Sequence, residues 1–295
     1  MMNGIINVLK PSGMSSHDVV GQVRRIYQLK KVGHSGTLDP LAAGVLPVYL
    51  GQATRLIEYG DSDVKTYRGE FAFGFSTDTE DSTGVVVAES GLPQVTVAEL
   101  EAVVASFAGL VEQRPSRYSA ISINGVKAYK LARQCADFAM PVRTVEIHAA
   151  QLLAYDAAQG RGLLEITCSK GTYIRSLIRD LGERLGCCAC MTYLVRLEAG
   201  LFTIAEAATL EELRATPEQY ILPPDTAIQG LPAAALNERQ CGELLQGKAV
   251  PFAGPCLSAG SVVRVYGQDD RLVGIARFDQ EHHVLRPHKM FAQMG

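Results

Sequence analysis

The 295-residue sequence lacks a long apolar run, a large excess of one charge and paired cysteine motifs. Because a membrane-spanning helix needs about 20 apolar residues in succession, no such helix is expected. The start MMNGIINVLK has no basic segment followed by a long apolar one, so no signal peptide is expected and the cytoplasm is the expected location. With 47% hydrophobic residues, the chain can form one large domain and one small one.

The seven cysteines show no spacing that is typical of a metal site. Cys187, Cys188 and Cys190 lie close together, but no second C-x-x-C motif and no nearby His completes a zinc set. The acids of the loop 77–84 do not match the spacing of a calcium-binding EF-hand. We therefore interpret the cysteines as small apolar residues in a reducing compartment, and we predict no metal site.

The charges are unevenly distributed although the net charge is only −3, which does not by itself indicate a nucleic-acid-binding protein. Residues 76–101 hold six acids and no Lys or Arg, whereas residues 106–180 hold ten Lys or Arg against six acids. Two interpretations stay open at this point. Either a positive face meets phosphates, or two solvated faces carry opposite signs.

Local patterns predict a mixture of strands and helices. Alternation of apolar and polar residues predicts strands at 5–9, 65–75, 163–168, 261–266 and 272–278. Helix N-termini are predicted at the capping boxes Ser15–Asp18 and Thr96–Glu99. The Pro-rich connection at 222–225 is typical of a domain boundary. The strand patterns in the region beyond it predict a small β-rich unit.

A further helix is predicted after the segment 169–173, with an apolar stripe that begins at Ile174. Arg175 would lie in the first turn of this helix. The helix dipole disfavours a cation there by about 0.3–1 kcal/mol. Such a placement favours a partner anion nearby, although a plain surface Arg remains an alternative.

The run GHSGTLDPLAAGVLPVYLG at residues 33–51 places one acid, Asp39, on a loop rich in glycine. Gly36 and Gly44 let the backbone adopt positive φ and approach a ligand closely. Pro40 restricts Asp39 to extended dihedrals. A carboxylate held in this way can serve as a nucleophile or a base, or it can form an Asx-turn that only shapes the loop.

This run resembles the catalytic loop of the pseudouridine synthases, in particular that of the bacterial tRNA pseudouridine-55 synthase family. The family pattern is close to G-H-x-G-x-L-D-P-x-A-x-G-V-L, and the one departure is Ala43, where Thr is usual. Further segments match the family in order: Lys10-Pro11-x-Gly13-x-Ser15-Ser16, Tyr67, Thr77-Asp78-Thr79-x-Asp81-x-x-Gly84, and Ser169-Lys170-Gly171-Thr172-Tyr173-Ile174-Arg175 followed by Tyr193-Leu194-x-Arg196-Leu197. The resemblance is dense over about residues 4–215.

The resemblance implies three catalytic residues. Asp39 would be the nucleophile, attacking either C6 of uracil or C1′ of the sugar, and the sequence leaves both routes open. Either route needs an ionised carboxylate in a water-poor pocket, and the resemblance supplies Arg175 as its partner. Tyr67 would stack on the flipped base and take the proton from C5.

The resemblance also implies a set of substrate-binding residues. Tyr67, Tyr173 and Leu194 would line the uracil pocket, and His34 would help to occupy the space that the extruded nucleotide leaves. Aromatic faces suit this task because stacking holds a single base by about 1–3 kcal/mol. A uridine in a folded loop must leave its stack before an enzyme can reach it.

The implied fold is mixed α/β (α+β), a pseudouridine synthase fold with a curved, mostly antiparallel sheet flanked by helices. The expected domains are a catalytic domain at 1–228 and a small PUA-like RNA-binding domain at 229–295. The implied activity is isomerisation of uridine 55 in the T-loop of tRNA. The expected partner is therefore the tRNA T-arm, with no metal, no cofactor and no membrane, and we expect a monomer.

Two other functions remain as alternatives. An RNA chaperone on the same scaffold would bind tRNA without needing Asp39, Tyr67 or Arg175. A small-molecule hydrolase could use Asp39 as a nucleophile, but it would need a second acid or base, as paired carboxylates provide in glycosidases. No obvious second carboxylate accompanies the Asp39 loop in sequence.

Overall fold

The computed structural model describes residues 2–60, 64–134 and 136–291. In chain order the first elements are β1 (Gly4–Lys10), α1 (Ser16–Tyr27), β2 (Val32–His34), β3 (Ala43–Leu50), β4 (Val64–Phe73), β5 (Phe75–Thr77), β6 (Val86–Glu89), α2 (Val97–Ala105), β7 (Gly109–Gln113), β8 (Ser122–Ile123), β9 (Val126–Lys127), α3 (Ala128–Arg133), β10 (Arg143–Asp156), β11 (Arg161–Ser169), α4 (Ile174–Arg184) and β12 (Ala189–Ala199). The later elements are β13 (Phe202–Thr203), α5 (Leu210–Ala215), β14 (Ala233–Ala235), α6 (Glu238–Leu245), β15 (Val250–Pro251), β16 (Val262–Tyr266), β17 (Leu272–Asp279) and β18 (Val284–Met290).

A curved central sheet organises the larger part of the molecule. Its strands follow the order β1-β3-β12-β4-β11-β10-β7, with β2 beside β3 and β13 beside β12. Along this order only the β12–β3 pair is parallel, and the other pairs are antiparallel. The predicted mixed fold with a mostly antiparallel sheet is therefore confirmed.

Helix α4 packs its apolar stripe onto the sheet beside β4 and β12. Ile174, Leu177, Ile178 and Leu181 are all buried in the main core cluster, together with side chains from α2 and β11. Helices α1 and α5 pack against β1 and β3 in a second cluster. Both capping boxes that the sequence predicts are formed, at the N-termini of α1 and α2.

The strand predicted at 65–75 ends earlier than its alternating pattern indicates. Gly74 has a φ of 102°, and its N–H donates to the carbonyl of Cys188 rather than continuing the β4 ladder. The chain bends there, and β5 pairs with β6 in a separate two-stranded sheet. The apolar residue Phe75 continues the alternating pattern of apolar and polar residues across Gly74. The pattern therefore does not indicate that the strand ends at Gly74.

The strands after residue 232 form their own sheet, in the order β14-β16-β17-β18-β15. Three contacts join it to the segment 55–59 of the larger part. Arg55 donates to the carbonyl of Met290, the Tyr59 hydroxyl lies 2.5 Å from Nε2 of His288, and Lys289 pairs with Glu58 at 3.0 Å. The predicted small β-rich region is thus a separate sheet, while the domain boundary at 228/229 stays a prediction.

Gly44 lies where β3 meets β12, and it is the closest backbone approach near the site. Its φ is 109°, and a Cβ at this position would lie 2.2 Å from the carbonyl oxygen of Arg196. We expect Gly44→Ala to lower the free energy of unfolding by about 2–6 kcal/mol, because positive-φ strain and overpacking both contribute. Gly13→Ala is the matched control, since Gly13 has a φ of 86° but a Cβ added there would meet no atom within 4 Å. Urea unfolding that gives equal losses for both variants would show that the close approach is not costly.

Candidate active site

Asp39 lies on the loop between β2 and β3, and neighbouring residues fix this loop tightly. The backbone N–H of Leu38 donates to Oγ of Ser16 at 2.8 Å, and the same hydroxyl donates to the Leu38 carbonyl at 2.9 Å. The N–H of Gly13 donates to the carbonyl of Pro40 at 2.7 Å. The loop is therefore clamped on both sides of Asp39, whose side chain is 39% exposed.

Lys10 binds the backbone of this loop on the C-terminal side of Asp39. The residue is fully buried at the end of β1, and its Nζ donates to the carbonyls of Pro11, Pro40 and Ala42. Burial, opposed by the Asp39 charge, lowers the pKa of Lys10 to about 8. The lysine of the first family motif thus ties β1 to the backbone of the loop that carries Asp39.

The lowered pKa of Lys10 gives a pH dependence of stability. Between pH 8 and about 10.4 the unfolded chain still binds the proton that the folded protein has lost, so the Lys10 contribution to the free energy of unfolding rises with pH. Below pH 8 both states hold the proton and the contribution is constant. We expect the difference in unfolding free energy between wild type and Lys10→Met to increase across this window. Parallel curves for the two proteins in urea unfolding between pH 7 and 10.5 would contradict this.

Arg175 is the second residue of α4, and its side chain reaches the Asp39 loop. It is 4% exposed, and its Nε lies 2.9 Å from Oδ2 of Asp39. Its other nitrogens donate to the carbonyls of Thr79, at 2.7 Å, and Tyr118, at 3.2 Å. A buried guanidinium whose hydrogen bonds are satisfied on two sides can orient a carboxylate rigidly on the third.

Asp81 is a second carboxylate beside Arg175, and it was not among the predicted site residues. Its Oδ2 lies 3.7 Å from Nη1 of Arg175, and its side chain is 7% exposed. Its Oδ1 accepts hydrogen bonds from Thr79 and Thr83, so the acidic loop 77–84 folds around this group. The signal was present, because Asp81 belongs to the third family motif, but nothing in the sequence placed that loop beside Arg175.

A cavity of about 470 Å³ opens in front of Asp39. It is large enough for a nucleoside. Its walls include the predicted residues Asp39, Tyr67, Tyr173, Arg175 and Leu194. Further cations line it, namely Lys65, Lys127, Arg143 and Arg196. The structure therefore brings five of the six predicted site residues together, in surroundings where positive charge exceeds negative charge.

Two tyrosines and one leucine are among the residues that line this cavity. Tyr67 is 7% exposed on β4, and Leu194 is 6% exposed on the neighbouring β12. Tyr173 precedes α4, and its backbone N–H and carbonyl both bond to the side-chain amide of Gln113, at 2.8 and 2.9 Å. Burial raises the pKa of Tyr67 and of Tyr173, so both are neutral in the resting protein at pH 7.

His34 is the one predicted site residue that does not line the cavity. It ends β2, and its Nδ1 is buried without a hydrogen-bond partner among the described residues. Burial, together with the nearby Arg196 charge, lowers the pKa of His34, so the ring is neutral at pH 7. Its suggested role during nucleotide extrusion stays a prediction.

Within the described ranges, no group of three or more His, Cys, Asp and Glu side chains is arranged to hold a metal ion. None of the helices in those ranges is long and apolar enough to cross a bilayer. Cys168, Cys190 and Cys241 are buried, and burial raises the pKa of the Cys168 and Cys190 thiols to about 11. These cysteines therefore behave as inert apolar residues.

Three family models match the chain in succession. Residues 24–174 match the TruB family pseudouridylate synthase N-terminal domain, and residues 175–229 match the tRNA pseudouridylate synthase B C-terminal domain. Residues 232–291 match a model described as pseudouridine synthase II TruB, C-terminal. The chain belongs to the TruB family of pseudouridylate synthases. It is therefore an isomerase of the pseudouridine synthase class.

Individual members of the TruB family resemble the chain over almost all of its length. A protein named tRNA pseudouridine synthase B from Moorella thermoacetica is 39% identical over 305 residues, covering 98% of this chain and 99% of that protein. A protein of the same name from Heliobacterium mobile is 41% identical over 293 residues, covering 98% of this chain and 95% of that protein.

Solved structures share the fold at lower identity. A Cbf5-Nop10-Gar1 complex contains a chain that is 28% identical, with a TM-score of 0.71, over 95% of this chain and 80% of that one. An H/ACA RNP bound to a substrate RNA containing 2′-deoxyuridine gives 26% identity and a TM-score of 0.72, over 98% of this chain and 85% of that one. The TruB fold assignment thus agrees between sequence and structure.

Proposed function

We propose that this TruB family member isomerises uridine 55 in the T-loop of tRNA to pseudouridine, with Asp39 as the nucleophile. The relatives named tRNA pseudouridine synthase B support tRNA as the substrate. The observation that carries the proposal is the ion pair of Asp39 with buried Arg175 inside a nucleoside-sized cavity.

The geometry suits chemistry on a single extruded base. Asp39 is partly exposed at the cavity wall, so its free oxygen can reach either C6 of uracil or C1′ of the ribose. Arg175 holds the carboxylate in one orientation before the substrate binds. Solvent therefore does not have to reorganise around the carboxylate during the reaction. Tyr67 and Tyr173 offer flat faces on which the base can stack, and Leu194 excludes water beside them.

The charges around the cavity favour an RNA substrate. Lys65, Lys127, Arg143, Arg175 and Arg196 line its walls, and Asp39 is the carboxylate among the lining residues. Such a surface attracts phosphates although the whole chain has a net charge of −3. Of the two interpretations of the uneven charge, we therefore favour the phosphate-binding face.

The C-terminal sheet and the protein as a whole have expected roles as well. The sheet formed by β14 to β18 would act as a PUA-like RNA-binding unit within residues 229–295 that touches the acceptor stem of the tRNA or packs on the body of the protein. The enzyme would act as a monomer in the cytoplasm, and its chemistry would need neither a metal nor a cofactor, because the isomerisation exchanges a C–N bond for a C–C bond without net redox change.

A T-arm hairpin that carries tritium only at C5 of uridine 55 tests the proposed target. Isomerisation must release that label to water, and we expect about one equivalent per hairpin. A second hairpin with tritium only at another uridine is the control, and it should release none. Release from the control hairpin instead would move the target to that uridine.

The chaperone alternative gives a different result in the same assay. A chaperone would bind both hairpins and release no tritium from either. The hydrolase alternative would need a second acid or base, and Asp81 does not provide one, because its oxygens are engaged by Arg175, Thr79 and Thr83. The assay therefore separates the isomerase from the chaperone.

A further inference from the structure

Arg196 is an arginine at the cavity wall whose hydrogen-bonding capacity is only partly used. It lies on β12 and is fully buried. Its Nε donates to the carbonyl of Val45 at 2.7 Å, and its Nη2 donates to the carbonyl of Gly36 at 2.9 Å. Its Nη1 is buried without a hydrogen-bond partner among the described residues. One guanidinium nitrogen with N–H donors therefore remains available at the cavity wall.

The positive charge of Arg196 also has no fixed partner. Within the described part of the chain, no carboxylate lies within ion-pair distance of Arg196, whereas Arg175 has both Asp39 and Asp81. A buried cation without a counter-ion is costly to a folded protein. Such a group fits an anion that is absent from the resting protein and forms during the reaction.

Tyr67 is the residue directly opposite Arg196. The β12–β4 register pairs the two positions, so their Cβ atoms are about 4.5–5.5 Å apart on one face of the sheet. Both side chains line the cavity that contains Asp39. The phenol hydroxyl and the guanidinium therefore share one wall, and the ionised phenol is an anion that could form next to Arg196.

We propose that Arg196 is a positioning residue that stabilises the phenolate of Tyr67 while Tyr67 removes the proton from C5 of the substrate. This inference rests on the proposed function, because it assigns the means by which that reaction ends.

The neutral Tyr67 phenol first gives its proton to water and becomes the phenolate. On both routes the new C1′–C5 bond leaves one hydrogen on C5, the phenolate takes it as a proton, and the C5–H electron pair becomes the C5=C6 double bond. On the C1′ route, formation of the C1′–C5 bond has already displaced the Asp39 carboxylate from C1′, and the C6=N1 pair moves to N1, which takes a proton from water. On the C6 route the Asp39 carboxylate leaves C6 with its bonding pair, and N1 has taken a proton from water when the glycosidic bond broke. The proton from C5 restores the neutral phenol, whose hydrogen then exchanges with water.

The electrostatics of Tyr67 agree with this role. Burial raises the pKa of Tyr67, and the Arg196 guanidinium opposes that rise. The charges of Cys168, when ionised, and of Asp39 raise the pKa further. On the C6 route Asp39 is still a neutral ester when Tyr67 removes the proton, so its opposing charge is absent at that step. The Arg196 charge then acts on the phenol with less opposition.

Single-turnover reactions with hairpins that carry hydrogen or deuterium at C5 of uridine 55 test the proposal. For Arg196→Met we expect loss of substrate uridine to run ahead of proton release, which falls by about tenfold or more since one pKa unit is tenfold in phenolate. The C5 deuterium isotope effect should exceed that of wild type. Arg196→Lys keeps the charge but loses part of the loop contact, and it should restore much of the proton-release rate.

Chemical rescue separates this role from loop anchoring. We expect 3-fluorotyrosine at position 67, whose phenol is more acidic, to speed proton release in the Arg196→Met protein. Arg68→Met is the matched control, because Arg68 follows Tyr67 on β4 but pairs with Glu165 at the surface.

Equal slowing of uridine loss and proton release, with no added isotope effect and no rescue, would overturn the proposal. Arg196 would then act through the Val45 and Gly36 carbonyls alone. Weaker RNA binding with slower uridine loss would instead assign Arg196 to an anionic group of the substrate, which also overturns the proposal. Failure of wild type to release any tritium would reject the proposed function itself rather than this inference.

Discussion

Asp39→Asn should abolish pseudouridine formation while leaving RNA binding nearly intact. The amide has the shape of the carboxylate but is a far weaker nucleophile, so no covalent step through residue 39 can begin. We expect the rate of tritium release from the labelled hairpin to fall by a factor of about a thousand or more. Without its nucleophile the enzyme cannot form the covalent intermediate on which the reaction depends. The dissociation constant of the hairpin should change by no more than a few-fold, since the cations and aromatic faces of the cavity remain.

The control for Asp39→Asn is Asp156→Asn, a change of the same chemistry at the exposed end of β10. Asp156 accepts hydrogen bonds from the N–H groups of Ala158 and Gln159, and an Asn can accept the same bonds. Its rate should equal that of wild type. Persistent pseudouridine formation by Asp39→Asn, checked by nuclease digestion of the product, would remove Asp39 as the nucleophile on both the C6 and the C1′ route.

Much of the local structure was predictable because its causes are local. The capping boxes at Ser15 and Thr96 and the strands beyond residue 260 depend on neighbouring residues in the chain. The strand end at Gly74 was not predictable, since it depends on a hydrogen bond to Cys188, which is distant in the chain. A periodic pattern carries no information about such a partner.

In the active site, too, local patterns indicated important residues but not their partners from distant parts of the chain. The helix dipole favoured an anion near Arg175 without identifying it, and the structure places both Asp39 and Asp81 there. Lys10 and Arg196 stood inside recognised motifs, yet their roles as buried donors depend on loops that meet only in three dimensions. Sequence patterns thus indicate which residues matter before they indicate what those residues touch.

Arg175→Ala should lower the rate of pseudouridine formation by about a hundredfold or more, with only a modest loss of RNA affinity. The change frees the Asp39 carboxylate to rotate and leaves the carbonyls of Thr79 and Tyr118 without their donor. Loss of these charge-assisted bonds is also expected to cost about 1.5–3 kcal/mol per bond in the unfolding free energy, so stability must be measured beside the rate. The control is Arg184→Ala, at the exposed end of α4, where Nη1 donates to Ser106.

Arg175→Lys decides whether charge or geometry is the essential contribution. Lysine keeps the positive charge, but a single ammonium cannot bond to Asp39, Thr79 and Tyr118 in the directions that the planar guanidinium serves. If orientation of Asp39 limits the rate, Arg175→Lys should be nearly as slow as Arg175→Ala although it folds more stably. If charge alone suffices, its single-turnover rate should approach that of wild type, and the rigid positioning of Asp39 by α4 would then not be what the reaction depends on.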